Sequence, residues 1–545
     1  MRRILFSLLS AVLVALPVLA QDRIYVVTDR SAYLAGDLVY CSLFCVDDQG
    51  RQSGFSAVSY LELISSEGTA VEAKVGLFEG RGAGWFRLPL NMPTGNYSLL
   101  AYTARSQAAP DAARTLAVFN STSKARVAGG VNIVPEKQYV PFIPADAEDG
   151  LTLSIPARVR TGREATLLLN GLDQDADISL SIFHEDGLAP ADGKTLSAFL
   201  GGRPAAPGPR MGEYEGEIVY ATVEGLPKDA SLTDNQATAI LSSAGSPSNV
   251  YVGRNTADGR LQFFTGNIYG DRELVCEVNV LDGQQCHINL ASPFTHPEAP
   301  AVPQLVLSSA QRSALVNRKA SLQAQVSLPE DTLARFLPKR EDLLLEENAP
   351  IRYHLDDYTR FPTVREICVE FVRELQFVRR GDRWQIRLVT SDATDSRKYV
   401  QENVLVMMDG VVITDHSLLA DFDALLLEDI DIYPQGIILG GISYNGVVNF
   451  ISKMNYVTAL HFADNVRVVD FKGVSYPVAY PGGVPSQGQD LRQLLYWNPA
   501  LEMKAGQSRR VSITAPAYAG RFRVVAEGWK ADGTPIRATY TFEVE

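Results

Sequence analysis

After an apolar leader, the chain enters segments in which apolar and polar positions alternate. Within residues 22–124 the runs RIYVVTD, GDLVYCSLFCVD, SYLELISSEG and GNYSLLAYTA have a period of two and are bounded by Gly, Asp or Pro. Short alternating runs with frequent turns are typical of an antiparallel β-sandwich. We therefore predict a first sandwich over residues 21–124.

The same pattern continues through the next two segments. The runs GLTLSIPARVRTGREATLLLNGL and DADISLSIFHED predict a second sandwich over residues 125–200. The Pro- and Gly-rich stretch GGRPAAPGPRMGEYEG interrupts the alternation and predicts a linker over residues 201–215. Strand patterns separated by Asp-Gly turns resume after it and predict a third sandwich over residues 216–297.

Further along, the pattern changes to helix formers. The run SSAQRSALVNRKASLQAQVSL has no strand alternation, so we expect a helical or irregular connector over residues 298–350. Thr363 and Glu366 then form a capping box at the start of a helix. Arg379 and Arg380 follow near its predicted end, where cations suit the helix dipole. One face of this helix is apolar: Val364, Ile367, Cys368, Phe371, Val372 and Leu375.

Strand patterns follow that helix. The runs RWQIRLV, ENVLVMMDGVVITD, LLLEDIDIYP and NGVVNFISK predict a sheet on which the helix packs, which gives a small α+β domain over residues 351–455. The tail alternates again and predicts a last sandwich over residues 456–545. The expected fold class is therefore mostly β, with tandem Ig-like sandwiches and one small α+β domain.

Several of these segments resemble known families. The runs RSAYLAGDLVYCSLFCVDDQG and GWFRLPLNMPTGNYSLLAYT resemble the second macroglobulin domain of the alpha-2-macroglobulin family. The second and last sandwiches are similar to macroglobulin-like domains, and the third resembles a carboxypeptidase-regulatory-like sandwich. The residues that carry the first resemblance are Tyr33, Gly36, Asp37, Leu88, Pro89, Pro93, Gly95 and Tyr97.

The α+β segment resembles the plug domain of TonB-dependent receptors. In that family a strand ends in Asp-Gly, an Asp-Ile-x-x-Ile strand follows, and an Asn-Gly-Val turn leads into a strand that ends in Lys. Ile432 stands one residue early for the second Ile. The resemblance implies structural roles, with Asn445 and Gly446 making the turn. The matching residues are Asp409, Gly410, Asp429, Ile430, Gly440, Asn445, Gly446 and Lys453.

The plug-like segment is not followed by the pattern of a receptor. The stretch after Lys453 predicts one sandwich and not the long β-barrel that follows the plug in TonB-dependent receptors. The module order as a whole resembles large cell-envelope proteins of the Bacteroidetes type. That resemblance implies that the plug-like domain serves as an interaction module.

The N-terminus predicts export. Two arginines precede an apolar run over residues 4–19, and Val18 and Ala20 fit the small-residue rule for cleavage. We predict a signal peptide over residues 1–20. No later run approaches the roughly 18 apolar residues that a spanning helix needs. We therefore expect a protein of the periplasm or the outer-membrane surface, without a transmembrane helix.

The charge of the chain argues against one class of partner. The net charge is −13 and no basic run occurs. Because phosphate binding requires clustered Lys and Arg, we expect no nucleic-acid partner.

Cys41 and Cys45 lie on one predicted strand, too far apart to form a disulfide. Cys276 is out of register with Cys286 across a predicted turn. We expect buried free thiols here and at Cys368.

Motifs for catalysis and metal binding are incomplete. In the alpha-2-macroglobulin family, which the sandwiches resemble, the thioester forms within a Cys-Gly-Glu-Gln run, whereas the GQQC run that ends at Cys286 has another order. Asn445 breaks the Gly-x-Ser-x-Gly motif around Ser443, and residues 173–184 lack the Gly and Glu of a calcium loop. The six histidines are scattered along the sequence. We therefore expect no catalytic residue, no cofactor and no metal ligand.

The favoured function is non-enzymatic. We expect an exported cell-envelope protein that binds or scaffolds other envelope proteins through its plug-like and sandwich modules, since sheet edges can accept a strand from a partner. The partners that we expect are envelope proteins, with an outer-membrane barrel transporter as one candidate. Two alternatives remain open: a macroglobulin-type protease inhibitor lacking a thioester, and an accessory component of an outer-membrane transport complex.

Overall fold

The structure is a computed structural model, and the residues that it describes begin after the predicted signal peptide. Most of the GQQC run lies outside them as well. In the described part of the chain, no helix combines the length and the apolarity needed to cross a membrane. The described residues are 21–143, 148–190, 196–202, 206–208, 210–225, 237–245, 248–280, 286–324, 345, 349–391, 398–477, 480 and 489–545.

The first eight strands form one sheet that folds around its own core. They are β1 (Arg23–Thr28), β2 (Ala32–Leu34), β3 (Leu38–Val46), β4 (Val58–Ser65), β5 (Gly68–Phe78), β6 (Arg81–Arg87), β7 (Gly95–Tyr102) and β8 (Arg114–Phe119). Their order in the sheet is β1-β3-β6-β5-β4-β7-β8-β2. Strands β3, β4 and β7 are buried on both faces, because later parts of the chain cover their outer side. Phe44 of β3, for example, packs on Trp529, with the ring centroids 4.7 Å apart.

The next segment supplies strands to several sheets. The strands of this segment are β9 (Val131–Ile133), β10 (Glu148–Asp149), β11 (Thr152–Ser154), β12 (Arg158–Val159), β13 (Glu164–Asn170) and β14 (Ala176–His184). Strand β13 shows the alternation of a half-buried strand. The short helix α1 (Leu196–Leu200) follows. Its Phe199 packs on Tyr25 of the first sandwich, with the ring centroids 5.1 Å apart.

The third predicted module forms a sandwich of two sheets. Its strands are β15 (Ile218–Glu224), β16 (Ala237–Ser243), β17 (Asn249–Val252), β18 (Arg254–Asn255), β19 (Leu261–Phe264), β20 (Arg272–Val280) and β21 (His287–Leu290). One sheet has the order β18-β19-β15-β21, and β17-β16-β20 belong to the other. Leu241, Phe263 and Cys276 meet in the core between them.

The segment expected to be a helical or irregular connector contains a short strand and a helix. Strand β22 (Leu305–Leu307) pairs parallel with β9, and α2 (Arg312–Ala324) follows it. Ser308 and Gln311 form a capping box just before α2. Arg318 of α2 forms a buried ion pair with Asp186 and donates a hydrogen bond to the carbonyl of Ala32. These contacts attach the connector to the first sandwich and to the segment that follows β14.

The described residues of the α+β domain form two α-helices and three sheets. In chain order the elements are β23 (Ile351–His354), α3 (Val364–Glu370), β24 (Leu375–Arg380), β25 (Arg383–Ser391), β26 (Lys398–Gln401), β27 (Leu405–Met408), β28 (Val411–Val412), α4 (Ser417–Ala420), β29 (Leu427–Tyr433), β30 (Ile437–Leu439), β31 (Ile442–Tyr444) and β32 (Val447–Ser452). The sheets have the orders β23-β29-β32-β27-β28, β24-β25-β26 and β30-β31, and β27 runs parallel to β32.

Helix α3 confirms the predicted start but not the predicted end. The Thr363–Glu366 capping box is present, whereas the helix stops at Glu370. Leu375 pairs with Leu388 in the β24–β25 hairpin, and Arg379 and Arg380 lie on β24 rather than at the end of a helix. The apolar positions after Glu370 do face the core, because a turn followed by a strand can bury the same side chains as a continued helix.

The tail does not form a sandwich by itself. Strand β33 (Val466–Phe471) pairs with β20 and completes the second sheet of the third module, whereas β34 (Val474–Ser475) pairs parallel with β5. The remaining strands are β35 (Leu494–Met503), β36 (Arg509–Thr514), β37 (Gly520–Lys530) and β38 (Pro535–Val544). Strands β35 and β37 flank β14, and β36 pairs with β13.

The sandwiches expected over residues 125–200 and 456–545 are therefore one sandwich with one core. Leu180 of β14 and Phe522 and Val524 of β37 are all fully buried in it. Neither segment has enough strands to cover its apolar face, so each completes the other. The chain is mostly β, with tandem sandwiches and one small α+β domain, and the predicted fold class is confirmed.

The cysteines agree with the expectation of free thiols. All five are buried and none forms a disulfide. Cys41 and Cys45 lie on the same strand, β3. Burial raises the pKa of the Cys276 and Cys368 thiols to about 12, so neither is a reactive thiolate at neutral pH.

Candidate functional site: an interdomain groove

The residues of the plug-like motif make contacts within the α+β domain. Asp409 has φ +51° and its carboxylate accepts hydrogen bonds from the backbone and side chain of Ser452, at 2.6 and 2.7 Å. Its carbonyl accepts a hydrogen bond from Gly245 N in the third sandwich, at 2.9 Å. Gly410, with φ +82°, donates to Asn449 Oδ1. These two residues therefore fix the turn between β27 and β28.

Other motif residues also make contacts within the α+β domain. Asp429 Oδ1 lies 2.6 Å from Nδ1 of His354, and this hydrogen bond raises the pKa of His354. Ile430 is fully buried in the core. Lys453 Nζ lies 3.9 Å from Asp356 Oδ1, and its backbone N–H donates to the carbonyl of Leu426. The resemblance of this domain to a receptor plug stays a prediction.

The tight turn expected at Asn445 and Gly446 lies earlier in the chain. Gly440 and Gly441 have φ +59° and +83° and close the two-residue turn of the β30–β31 hairpin. Asn445 and Gly446 form a bend between β31 and β32, where Asn445 Nδ2 donates to the carbonyl of Glu402. The hairpin around Ser443 leads into a strand and not a helix, so it lacks the architecture of a nucleophile elbow.

The acidic loop before β14 is a surface turn. Asp173 pairs with Lys530 at 2.7 Å, and Asp175 pairs with Lys504 at 2.9 Å. Asp175 also accepts a hydrogen bond from Ala505 N. Two lysines and a backbone amide therefore contact these carboxylates.

A groove of about 810 Å³ lies where three parts of the chain meet. Its floor is the segment 211–218, which leads from the linker into β15. Its walls are formed by β17 and the end of β19 and by Ile438 and Leu439 of the β30–β31 hairpin. We call it the interdomain groove.

Buried polar contacts hold the floor of the groove on the first sandwich. Tyr60 OH donates to the Glu213 carboxylate at 2.8 Å, and Ala57 N donates to the carbonyl of Glu213 at 2.7 Å. Burial raises the pKa of Glu213 to about 7. Gly216 has φ +130°, and a Cβ there would lie 2.4 Å from Gly266 Cα, so only glycine permits this approach.

A buried ion pair lies beneath the same floor. Glu217 Oε1 is 2.6 Å from Lys74 Nζ, and the two side chains are 1 % and 2 % exposed. Burial raises the pKa of Glu217 and lowers that of Lys74, and the attraction between them opposes both shifts. The second oxygen, Glu217 Oε2, accepts no hydrogen bond from the described residues.

The groove presents apolar side chains to solvent. Ile438 is 76 % exposed and Tyr214 is 56 % exposed, and Met211 and Phe264 are also exposed. Exposed apolar groups that cluster beside a concave surface are typical of protein-binding sites. Glu215 is the exposed charged residue among those that line the groove.

The hairpin wall also offers a free strand edge. In the described residues, β30 pairs only with β31. A two-residue turn closes on a hydrogen-bonded pair, here Leu439 and Ile442, so Ile438 belongs to the next, non-hydrogen-bonded pair. The N–H and C=O of Ile438 therefore point away from β31. Leu439 and Tyr444, by contrast, pack against a core cluster that includes Ile240 of the third sandwich.

Sequence reasoning did not identify this groove, because its parts are distant in the chain. Gly440 gave one local signal, since consecutive glycines predict a hairpin turn. Nothing in the sequence indicated that this hairpin packs on β17. The described residues also bring together three side chains that can bind a metal, Glu62, Glu72 and His296, at another surface.

Comparisons with known proteins give remote matches. No family model and no curated protein sequence matches the chain. A Salmonella alpha-2-macroglobulin reacted with methylamine matches at 8 % identity and a TM-score of 0.16, covering 96 % of this chain and 23 % of that one. The trypsin-activated alpha-2-macroglobulin of Escherichia coli matches at 9 % identity and a TM-score of 0.24, covering 96 % and 41 %.

A bacterial adhesin matches over a shorter part of the chain. The Escherichia coli adhesin FdeC matches at 12 % identity and a TM-score of 0.15, covering 52 % of this chain and 96 % of that one. This chain thus spans less than half the length of the two macroglobulins. TM-scores of this size establish neither a shared domain arrangement nor a shared activity.

Proposed function

We propose that the protein is a non-enzymatic, exported cell-envelope protein that binds another envelope protein through the interdomain groove. The occupant is an extended segment of the partner chain that carries apolar side chains and adds a strand to the edge of β30. Export is supported by the predicted signal peptide at residues 1–20. Strand addition supplies backbone hydrogen bonds, and adjacent pockets supply side-chain selectivity.

The observation that carries this proposal is the exposure of Ile438. It is 76 % exposed at the edge of a two-stranded hairpin, beside a groove of about 810 Å³. An added strand would satisfy its outward N–H and C=O and would cover its side chain. Val369, on the exposed face of α3, is 78 % exposed but belongs to a helix without a free edge, so it offers a matched comparison in the same domain.

The groove also favours a particular composition of the partner segment. The exposed Met211, Tyr214 and Phe264 favour apolar side chains. The exposed carboxylate of Glu215 favours a basic side chain nearby. We therefore expect a partner segment of β-forming apolar residues with at least one Lys or Arg.

Photo-crosslinking in cells tests this function. A photoreactive amino acid at position 438 is expected to give a discrete crosslinked product with a cell-envelope protein, and mass spectrometry is expected to map it to one extended segment. The same amino acid at position 369 serves as the control. Equal crosslinking from the two positions, or no product from position 438, would refute the proposal.

A further inference from the structure

Two glutamates and a histidine meet at the surface of the first sandwich. Glu62 of β4 and Glu72 of β5 lie directly opposite each other in the ladder. His296 comes from the segment that follows β21. Its Nδ1 lies 3.2 Å from Glu62 Oε2 and 3.6 Å from Glu72 Oε1. One ligand atom from each residue lies within 4.8 Å of the others.

These distances match the spacing of metal ligands. In a tetrahedral zinc site with bonds of about 2.0–2.1 Å, neighbouring ligand atoms lie about 3.3–3.4 Å apart. The two distances from His296 Nδ1 are close to this value. The side chain of Glu62 is fully buried, whereas that of His296 is 55 % exposed. The site is therefore fixed on one side and open to an entering ion on the other.

The carboxylate of Glu62 is held in place by neighbouring donors. Its Oε1 accepts hydrogen bonds from Tyr102 OH and from the backbone N–H groups of Thr295 and His296. Its Oε2 accepts one from Thr69 Oγ1 at 2.9 Å and faces His296. Such donors behind a ligating oxygen orient it and increase metal affinity. Because Thr69 occupies one lone pair of Oε2, the second lone pair can bind a metal ion.

The electrostatics of the group also favour a cation. Two carboxylates directly opposite each other on neighbouring strands repel. The single Nδ1 of His296 can direct one N–H toward only one of them. A divalent ion among the three groups would interact with both carboxylates and with the ring nitrogen. An imidazole and two carboxylates together form a ligand set that suits zinc, with a water molecule in the fourth position.

We propose that Glu62, Glu72 and His296 bind a divalent transition-metal ion, with zinc as the preferred ion. The ion would fasten the segment after β21 to the first sandwich. That segment already contacts β7, because Asn96 Nδ2 donates to the Pro303 carbonyl at 2.9 Å. The bound ion would therefore join two modules of the protein. The site is separate from the interdomain groove.

Calorimetric titration of the full-length protein with zinc chloride, after removal of metal by a chelator, tests the proposal. We expect one zinc ion per chain, with an affinity at least tenfold weaker in the variants His296→Asn and Glu72→Gln. Both side chains are partly exposed, so the folds of these variants should persist, as far-UV circular dichroism can verify. The control is His354→Asn, which removes the histidine of the separate pair with Asp429 and should leave the affinity unchanged.

A positioning variant adds a second readout. Tyr102→Phe removes only the hydroxyl group behind Glu62 Oε1, and we expect about tenfold weaker binding, as for other outer-shell substitutions. Cobalt bound in place of zinc is expected to give the visible spectrum of a tetrahedral site, and the spectrum should be lost in His296→Asn. Absence of saturable zinc binding would overturn the proposal. Equal affinity in His296→Asn and the unsubstituted protein would overturn it as well.

Discussion

Lys74 Nζ lies 2.6 Å from Glu217 Oε1, and this pair joins two sandwiches. Lys74 belongs to β5 of the first sandwich, whereas Glu217 directly precedes β15 of the third. The ring of Phe471 covers Lys74 Nζ at 4.0 Å from its centroid. The ion pair is therefore shielded from water, and it fixes the floor of the interdomain groove relative to the first sandwich.

Removal of the lysine should destabilise the protein strongly. Lys74→Met leaves the Glu217 carboxylate buried without its cation, and we expect a loss of about 3–5 kcal/mol at pH 8. The loss should be smaller at pH 5, because the raised pKa of Glu217 lets the carboxyl group take up a proton. Urea unfolding at the two pH values measures both effects.

The double variant separates charge from packing. Lys74→Met combined with Glu217→Leu replaces the pair by apolar side chains, and such replacements are often neutral or stabilising. We expect it to recover most of the stability that Lys74→Met loses. A double variant that is less stable than Lys74→Met would show that the pair does not act through its charges.

The next prediction concerns the sandwich that two distant segments of the chain build together. Deletion of residues 490–545 removes β35 to β38 and exposes the buried face of β14, including Leu180. We expect hydrogen exchange in β13 and β14 to lose its protection, while β4 and β7 of the first sandwich keep theirs. Retained protection of β14 in the shortened chain would show that residues 148–184 fold alone.

Two buried acids, Asp29 and Glu213, should make the free energy of unfolding depend on pH. Burial raises the pKa of Asp29 to about 6 and that of Glu213 to about 7, from ordinary values of 3.8 and 4.5. An acid whose pKa is raised by folding favours the fold fully below its ordinary pKa, and this contribution is lost as pH rises through the folded pKa. These two groups should therefore lower the free energy of unfolding between about pH 4 and pH 7.

The variant Glu213→Gln tests this assignment. It stays neutral at every pH, so the fall in unfolding free energy from pH 5 to pH 8 should be smaller than in the unsubstituted protein. Gln keeps one oxygen that can accept the hydrogen bond of Tyr60. Urea midpoints at pH 5, 6, 7 and 8 give the comparison, and parallel pH profiles for the two proteins would contradict the assignment.

The glycine turn of the hairpin allows a matched pair of substitutions. A Cβ on Gly440 would lie 2.4 Å from Val252 Cγ1, whereas a Cβ on Gly441 would meet nothing within 4 Å. Both residues have positive φ, so alanine introduces backbone strain of about 1–3 kcal/mol at either position. Only Gly440→Ala should also push the hairpin away from β17.

Hydrogen exchange and crosslinking distinguish the two glycine variants. We expect Gly440→Ala to increase exchange in β30 and to reduce the crosslinking yield from position 438 severalfold. Gly441→Ala should affect the groove much less, since it adds strain without a clash. Equal effects of the two substitutions would show that the hairpin does not depend on its contact with Val252.

Local features were predictable from the sequence, whereas partners distant in the chain were not. The capping box of Thr363 and Glu366 was confirmed because both groups lie within one helical turn. The period of two identified β13 and β14 as strands. It could not show that β14 pairs with β35 and β37, since alternation specifies a buried face and not what covers it.

The candidate sites were missed for the same reason. His296 is 234 positions from Glu62, and a search for nearby histidines and cysteines cannot find such a pair. Ile438 reads as an ordinary strand residue in the sequence, and its 76 % exposure becomes apparent only in the folded chain. The end of α3 was misplaced because the apolar residues after Glu370 stay buried in a turn and a strand.

The most direct test of the account is a pull-down from detergent-solubilised cell envelopes with three forms of the full chain. These are the unsubstituted protein, Ile438→Glu in the groove, and Val369→Glu on α3. We predict that the unsubstituted protein and Val369→Glu recover the same envelope protein, and that Ile438→Glu recovers at least tenfold less of it by quantitative mass spectrometry. Equal recovery of that protein by Ile438→Glu would contradict the account.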